Sequence, residues 1–297
     1  MNRDGTLAWG HHYAMVTPEH YRIEYDINPF MNPADQPDPV RAREQWDTLV
    51  ATLRALGARV DVLGGAAGSP DMVYAMNLGL AVTDPDDMPR VVMSHMRFAE
   101  RRAETPVAEK FFAGLGFAST YIGRSGVGGH FESGDAFPYA DALLVGHGKR
   151  SDEVALKALA TELDVRVRAL RIVHASMYHL DLAFCPLDAR TAFVCPDAFD
   201  AASARALLES VPQPIVLSVA DALTFCANSV VVGRTVVMPA CPAGVRRSVE
   251  AAGFEIVELD LSEFHLGGGS IRCMTNPLDI VIGRDLPGVP GGELVLA

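Results

Sequence analysis

One phrase recurs along this chain and limits its fold more than any other feature: a helical pattern, a stop, and a short apolar strand. The clearest copy starts at Pro39. There VRAREQWDTLVATLRAL carries Trp46, Leu49, Leu53 and Leu56 at helical spacing, and Gly57 ends the pattern before the strand-like ARVDVL. The phrase returns as VAEKFFAGLGFASTYI from Val107, as EVALKALATELDVRVRAL from Glu153, as ASARALLESVPQPIVLS from Ala202 and as AGVRRSVEAAGFEIVEL from Ala243. Ahead of these helices, paired apolar runs read as hairpins: GLAVT with RVVMS, LAFCP with TAFVCP, and SVVVG with TVVMP around Gly233-Arg234. Around DALLVGHGK the signal for two strands is weaker. Five units of strand, strand, helix, strand suggest a repeat architecture whose helices cover the outside while the strands meet at a shared centre. An ordinary αβ sandwich is the alternative. The N-terminal YAMV and the C-terminal DIVIG have no unit of their own and are expected to close the ring against each other. The Pro-rich residues 27–40 are expected to form a long loop.

With 297 residues, 49% of them hydrophobic, the chain can bury a large core without staples, and we expect one domain over residues 1–297. A net charge of −12 argues against nucleic acid or an anionic membrane as partner. The five cysteines are widely spaced, with no C-x-x-C pair, and read as reduced thiols. No apolar leader core and no long uninterrupted apolar run is present, so the expected setting is soluble and cytoplasmic. Oligomeric state is not legible.

Chemistry is concentrated in a few short stretches. Gly267-Gly268-Gly269 belongs where the backbone bends with positive φ or approaches something closely, so Cys273, four residues on, is expected to be carried by a loop. Its thiol is nucleophile, metal ligand or inert filler. In YHLDLAFCPL, strand alternation would put His179 and Asp181 on one side, as a proton shuttle with a substrate-binding partner or as a hydrogen-bonded structural pair. FESGD supplies Glu132 and Asp135 beside a turn glycine; most such clusters are solvated loops. Asn77 ends the apolar PDMVYAMN, and Asn28 in INPFM reads as a turn former before proline. Arg101 and Arg150 follow strands, as surface charges or as binders of a substrate carboxylate. The adjacent His11 and His12 would point apart on a strand, which makes a metal site there improbable.

Taken in order, INPFM, PDMVYAMN, AERR, FESGD, KRSD, YHLDLAFCPL, CAN and GGGSIRCMTNPL resemble the guanidino-group modifying enzymes, from about Thr17 to Leu278. That superfamily includes arginine deiminase, dimethylarginine dimethylaminohydrolase, amidinotransferases and arginine dihydrolase. The resemblance implies an α/β fold, a five-fold pseudosymmetric β/α propeller of ββαβ units, and neither metal nor organic cofactor. It also implies a small-molecule substrate, arginine or a methylated arginine. Carried over by residue, it makes Cys273 the nucleophile on the guanidinium carbon, His179 the general acid and base, and Glu132 the carboxylate contacting guanidinium and histidine. Asp181 would hold a guanidinium nitrogen, and Arg101 and Arg150 the α-carboxylate. Asn28 and Asn77 match an amide pair of the dihydrolase branch, where deiminases have aspartate in place of Asn77. FESGD is one residue tighter than that branch's pattern and closer to dimethylarginine hydrolases, and YAMN replaces its F-T-A-N. The expected reaction is hydrolysis of arginine through a covalent amidino adduct on Cys273. Arginine dihydrolase comes first, and dimethylarginine hydrolase or arginine deiminase are the alternatives. Outside enzymes, the alternative is an inactive arginine-binding protein.

Overall fold

The computed structural model describes residues 5–83, 88–124 and 127–282. Strand β1 (His12–Val16) leads through the long loop to helix α1 (Pro39–Ala55) and strand β2 (Arg59–Leu63). Asp38 caps α1 by accepting from Val40 N and Arg41 N, and Gly57, at φ +92°, releases the chain from it. Trp46, Leu49 and Leu53 face the core at 0–3% exposure, the face their spacing predicts. Next come β3 (Gly79–Thr83), β4 (Pro89–Met93), α2 (Glu104–Gly114), β5 (Ala118–Thr120) and a two-stranded ribbon of β6 (Gly123–Arg124) and β7 (Val127–Gly128). The third stretch holds β8 (Ala136–Tyr139), β9 (Ala142–His147), α3 (Glu153–Glu162) and β10 (Val167–Arg171). The fourth holds β11 (Phe184–Pro186), β12 (Thr191–Val194), α4 (Ala201–Ser210) and β13 (Gln213–Val216). After the short α5 (Val219–Ala222) follow β14 (Val230–Val232), β15 (Thr235–Met238), α6 (Ala243–Ala251) and β16 (Glu255–Glu258). The chain then runs through α7 (Ser262–His265), α8 (Ile271–Met274) and β17 (Asn276–Pro277).

These strands form five three-stranded sheets of one design. In each, an antiparallel partner flanks a central strand, which a helix then connects to a parallel third: β3-β4-β5, β8-β9-β10, β11-β12-β13 and β14-β15-β16. A parallel pair requires such a crossover, which is why each helix phrase ends in a strand. The hairpin with the weak signal is real: β8 pairs with β9 and turns at Ala140, at φ 53°. Pro138 lies in β8, an edge strand, where the missing N–H is tolerated.

The fifth sheet, β17-β1-β2, joins the two ends of the chain, with Tyr13 opposite Pro277 and Ala14 opposite Asn276. This corrects the expected closure. The partner of YAMV is Asn276–Pro277, not DIVIG, because Ile280 and Ile282 exchange backbone hydrogen bonds with Thr83 instead. Gly283 of that run lies outside the described residues, as do parts of the expected 1–297 domain. Among the described residues no helix is long and apolar enough to cross a membrane, and no cluster of three His, Cys, Asp or Glu side chains is arranged for a metal ion.

Candidate active site

Close packing compels the three consecutive glycines. A Cβ on Gly267 would stand 2.1 Å from the Tyr74 hydroxyl, and one on Gly269 would stand 2.4 Å from the Tyr74 ring. Gly268 has a φ of +84°, and a Cβ there would meet the Asn28 amide at 2.5 Å. Donors then tie down the carbonyls of this segment. Tyr74 Oη donates to Phe264 O (2.6 Å), Asn28 Nδ2 to Gly267 O (3.0 Å), and Tyr178 Oη to Gly268 O. The glycines are the expected loop, but Cys273 itself sits on the single helical turn α8 that follows, 3% exposed.

Asn228 is the residue that sequence reasoning left out. Fully buried, it accepts at Oδ1 from Ser270 N and Cys273 N, each at 3.1 Å, and so holds the start of α8. Its Nδ2 donates to Asp181 O and to Cys273 Sγ, again at 3.1 Å. The available signal was the asparagine of CAN, a motif that had been given no role.

On its other side the Cys273 thiol donates to Asp181 Oδ2 at 3.3 Å. Burial and then the Asp181 carboxylate push the thiol well above its ordinary range. The free site therefore stabilises thiol, not thiolate.

His179 Nε2 is 2.8 Å from Glu132 Oε2, which also receives Arg150 Nη1 at 3.0 Å, while Arg97 N donates to Oε1 at 3.0 Å. Burial alone would raise the Glu132 carboxyl, yet Arg150 and the bonded His179 overcome it and hold the group far below its usual range. The expected strand carrying His179 and Asp181 is not formed. His179 is extended, Leu180–Leu182 is a 3-10 turn, and β11 begins only at Phe184. The two side chains converge all the same on Gly134, where a Cβ would lie 3.2 Å from Asp181 Oδ2 and 3.4 Å from His179 Cγ. They are not hydrogen-bonded to each other, as the structural-pair reading required. Nor is FESGD a solvated loop: Glu132, Ser133 and Asp135 are all fully buried. Asp135 accepts from Leu180 N (3.0 Å) and Ser151 Oγ (2.6 Å), so it ties the turn bearing His179 to the one bearing Arg150.

Six of the eight expected site residues, Cys273, His179, Asn28, Asn77, Arg101 and Arg150, line one narrow cleft. Glu132 and Asp181 stand behind it, in contact with His179 and Cys273. Gly134 N donates to Asn77 Oδ1 at 2.8 Å, so what Asn77 can offer a bound group is its Nδ2–H. Asn28 does form the expected turn, accepting from Phe30 N at 3.0 Å. Neither arginine is a surface charge. Arg101 forks onto Glu104 through two 2.8 Å bonds, and Arg150 lies over the Phe98 and Tyr178 rings while donating to Ile27 O. Asp71 also lines the cleft. Burial, opposed by Arg101, raises it to about 6, and its Oδ1 has no hydrogen-bond partner.

A family profile described as N,N dimethylarginine dimethylhydrolase, eukaryotic, matches residues 22–280. The chain belongs to that family. Within it, the chain is 35% identical over 263 residues to the N(G),N(G)-dimethylarginine dimethylaminohydrolase of Mycobacterium tuberculosis, covering 89% of this chain and 84% of the relative. It is 34% identical over 270 residues to the bifunctional arginine dihydrolase/ornithine cyclodeaminase AgrE of Nostoc sp., covering 89% of this chain but only 37% of that longer protein. Among solved structures, the N-terminal domain of the cyanobacterial arginine dihydrolase ArgZ, bound to product, superposes with a TM-score of 0.84 at 32% identity. That match covers 92% of this chain and 98% of the domain. A dimethylarginine dimethylaminohydrolase adduct superposes with a TM-score of 0.70 at 18% identity, a likeness of fold.

Proposed function

We propose that this amidine C–N hydrolase takes free arginine to ornithine, carbon dioxide and two ammonia, consuming two waters. One observation carries the choice: the cleft presents an amide at Asn77 whose oxygen is already engaged, leaving an N–H donor where a carboxylate would offer only acceptors. After the first hydrolysis the cationic guanidinium has become a neutral ureido group. Carboxylates alone lose their charge-based hold on it, whereas an amide donor can keep it for a second attack. The likeness to the ArgZ domain over nearly its whole length supports this reading.

In the proposed mechanism the cationic substrate itself activates Cys273. The guanidinium offsets the Asp181 charge, the thiol proton passes to the unpartnered Nδ1 of His179, and the thiolate attacks the guanidinium carbon. Glu132 fixes the Nε2–H tautomer of His179, so Nδ1 is the ring nitrogen that takes and returns protons. Its proton goes to the departing nitrogen, the C–N bond breaks, and ammonia leaves an amidino group on Sγ. His179 then deprotonates the water that attacks this adduct, and the C–S bond breaks to give the ureido group and the thiol again. A second round on that group expels the second ammonia, and hydrolysis of the resulting carbamoyl adduct gives a carbamate that loses carbon dioxide to leave ornithine. A cysteine-to-serine variant of ArgZ has been seen bound to substrate, and another ArgZ structure holds a covalently bound reaction intermediate; both support a covalent route. Arg101 and Arg150 serve the substrate α-carboxylate.

The five sheets of one strand order support a five-bladed β/α propeller of ββαβ units, formed by a single domain over 1–297. The free thiols support a cytoplasmic setting. Dimethylarginine hydrolysis is the second reading, favoured by the family profile and the mycobacterial relative. Product analysis with arginine and dimethylarginine side by side decides between them. Ornithine with two ammonia per arginine is expected, and Asn77→Asp should shift the product towards citrulline. Citrulline and one ammonia from the wild type, or preference for dimethylarginine, would reverse the choice.

A further inference from the structure

Asn77 rides on a single 3-10 turn, Ala75–Leu78, that leads into β3 at Gly79. So short a turn cannot satisfy its own buried carbonyls, and two residues outside the cleft lining supply the missing donors. Asn276, fully buried on β17, brings Nδ2 to 2.8 Å from Gly79 O, 3.0 Å from Ala75 O and 3.3 Å from Met76 O. Carbonyl oxygens only accept, so the amide nitrogen must be the end that faces them. Its two N–H groups serve Gly79 and Ala75 at the shorter distances, and Met76 O takes a hydrogen bond from the hydroxyl of fully buried Ser133. Ser94 Oγ steadies Ser133 in turn, accepting from its N–H at 3.3 Å. Each donor is a sequence neighbour of a site residue: Asn276 stands three residues after Cys273, and Ser133 directly follows Glu132.

We propose that Asn276 and Ser133 are positioning residues for the hydrolysis, a clamp that sets the Asn77 amide against Cys273 from one side and Glu132 from the other. The clamp fixes the backbone of the turn, while Gly134 N, directly after Ser133, fixes Asn77 Oδ1 at 2.8 Å. With both in place the Nδ2–H of Asn77 keeps one direction. Removing either donor frees the turn and lets the amide lose that direction, although no side chain lining the cleft has changed. The inference rests on the proposed function only in that Asn77 serves the substrate.

The test is a double-mutant cycle on the full chain, with kcat and KM for arginine measured in Asn276→Ala, Ser133→Ala, Asn77→Ala and the two pairs that include Asn77→Ala. Asn276→Ala and Ser133→Ala should each lower kcat/KM about tenfold, the order expected when a buried hydrogen bond is lost. In the Asn77→Ala background the same changes should cost less than about twofold, because no amide is left to misplace. Losses undiminished in that background, or single variants at the wild-type rate, overturn the proposal, since the two residues would then hold the fold and nothing more. Should Asn276→Ala fail to fold, Ser133→Ala, which removes only a hydroxyl, carries the cycle alone. Product analysis of the wild type separates this proposal from the reading it rests on: citrulline as the end product refutes double hydrolysis, while the kinetic cycle still decides the clamp.

Discussion

Replacing Asp181 by asparagine should make Cys273 more reactive while making the enzyme slower. In the free site the thiol faces a carboxylate oxygen at 3.3 Å. Two unit charges at that separation repel by about 5 kcal/mol at an effective dielectric of about 20, so forming the thiolate carries that penalty on top of burial. Asparagine keeps the shape and removes the charge, which raises the thiolate fraction at fixed pH by up to roughly 3–4 decades. A more acidic thiol is a weaker nucleophile, with a Brønsted slope of about 0.4–0.5, so about half of that gain is lost. The net expectation is reaction with a small neutral disulfide reagent about 100-fold faster than wild type at pH 8, with the rate's pH midpoint moved down. Turnover of arginine should fall, because the carboxylate that would hold the guanidinium is gone. The assay is stopped-flow modification across pH, with steady-state turnover on the same preparations. Equal or slower modification of Asp181→Asn would refute the argument that this carboxylate suppresses the thiolate.

Three further outcomes are expected. Cys273→Ser should retain fold and arginine binding but lose turnover, since serine is far less nucleophilic at neutral pH; a rate above a few per cent of wild type would exclude the covalent route. Agmatine, which lacks the α-carboxylate that Arg101 and Arg150 would hold, should lose about 1.5–3 kcal/mol of transition-state stabilisation, one to two decades in kcat/KM. Equal kcat/KM for agmatine and arginine would refute that role. Asn228→Ala removes the acceptor of two backbone N–H groups on the nucleophile's turn; kcat should fall by roughly 10- to 100-fold with unchanged circular dichroism, at about 1–3 kcal/mol for unsatisfied buried donors. Unaltered kcat in that variant would show that the turn holds itself.

The five helix phrases were legible because each is long enough to show its period and ends at a stop, and all five helices stand where the pattern put them. Short elements escaped. Strand β8 hides behind Pro138, and β17 is two residues with neither periodicity nor apolar character, so the closure of the fifth sheet was assigned to the more strand-like DIVIG. Eight candidate positions could be named, and the resemblance also paired Glu132 with His179, 47 residues away. The hold of Asn228 on Cys273, 45 residues away, could not be named. Such pairings depend on how separate sheets come together, which local pattern does not encode. The buried state of Glu132 and Asp135 was missed for the same reason: acidic residues at a turn look solvated until the rest of the fold covers them.

The sheet built from both ends of the chain sets when this enzyme can first exist during synthesis. Tyr13 pairs with Pro277, so β1 must stay unpaired on one edge until a strand more than 250 residues later has left the ribosome. The late partner is the segment directly after Cys273, so the reactive turn is fixed only when that last strand docks. Chains cut before Cys273 would carry an open edge and lack the proposed nucleophile, and they would be prone to sticking to each other. Closing so long a loop is also slow on entropic grounds. A circular permutant that linked β17 to β1 directly and reopened the chain at a surface turn far from β1 would make that contact local, and it should assemble its active site faster than the native order allows.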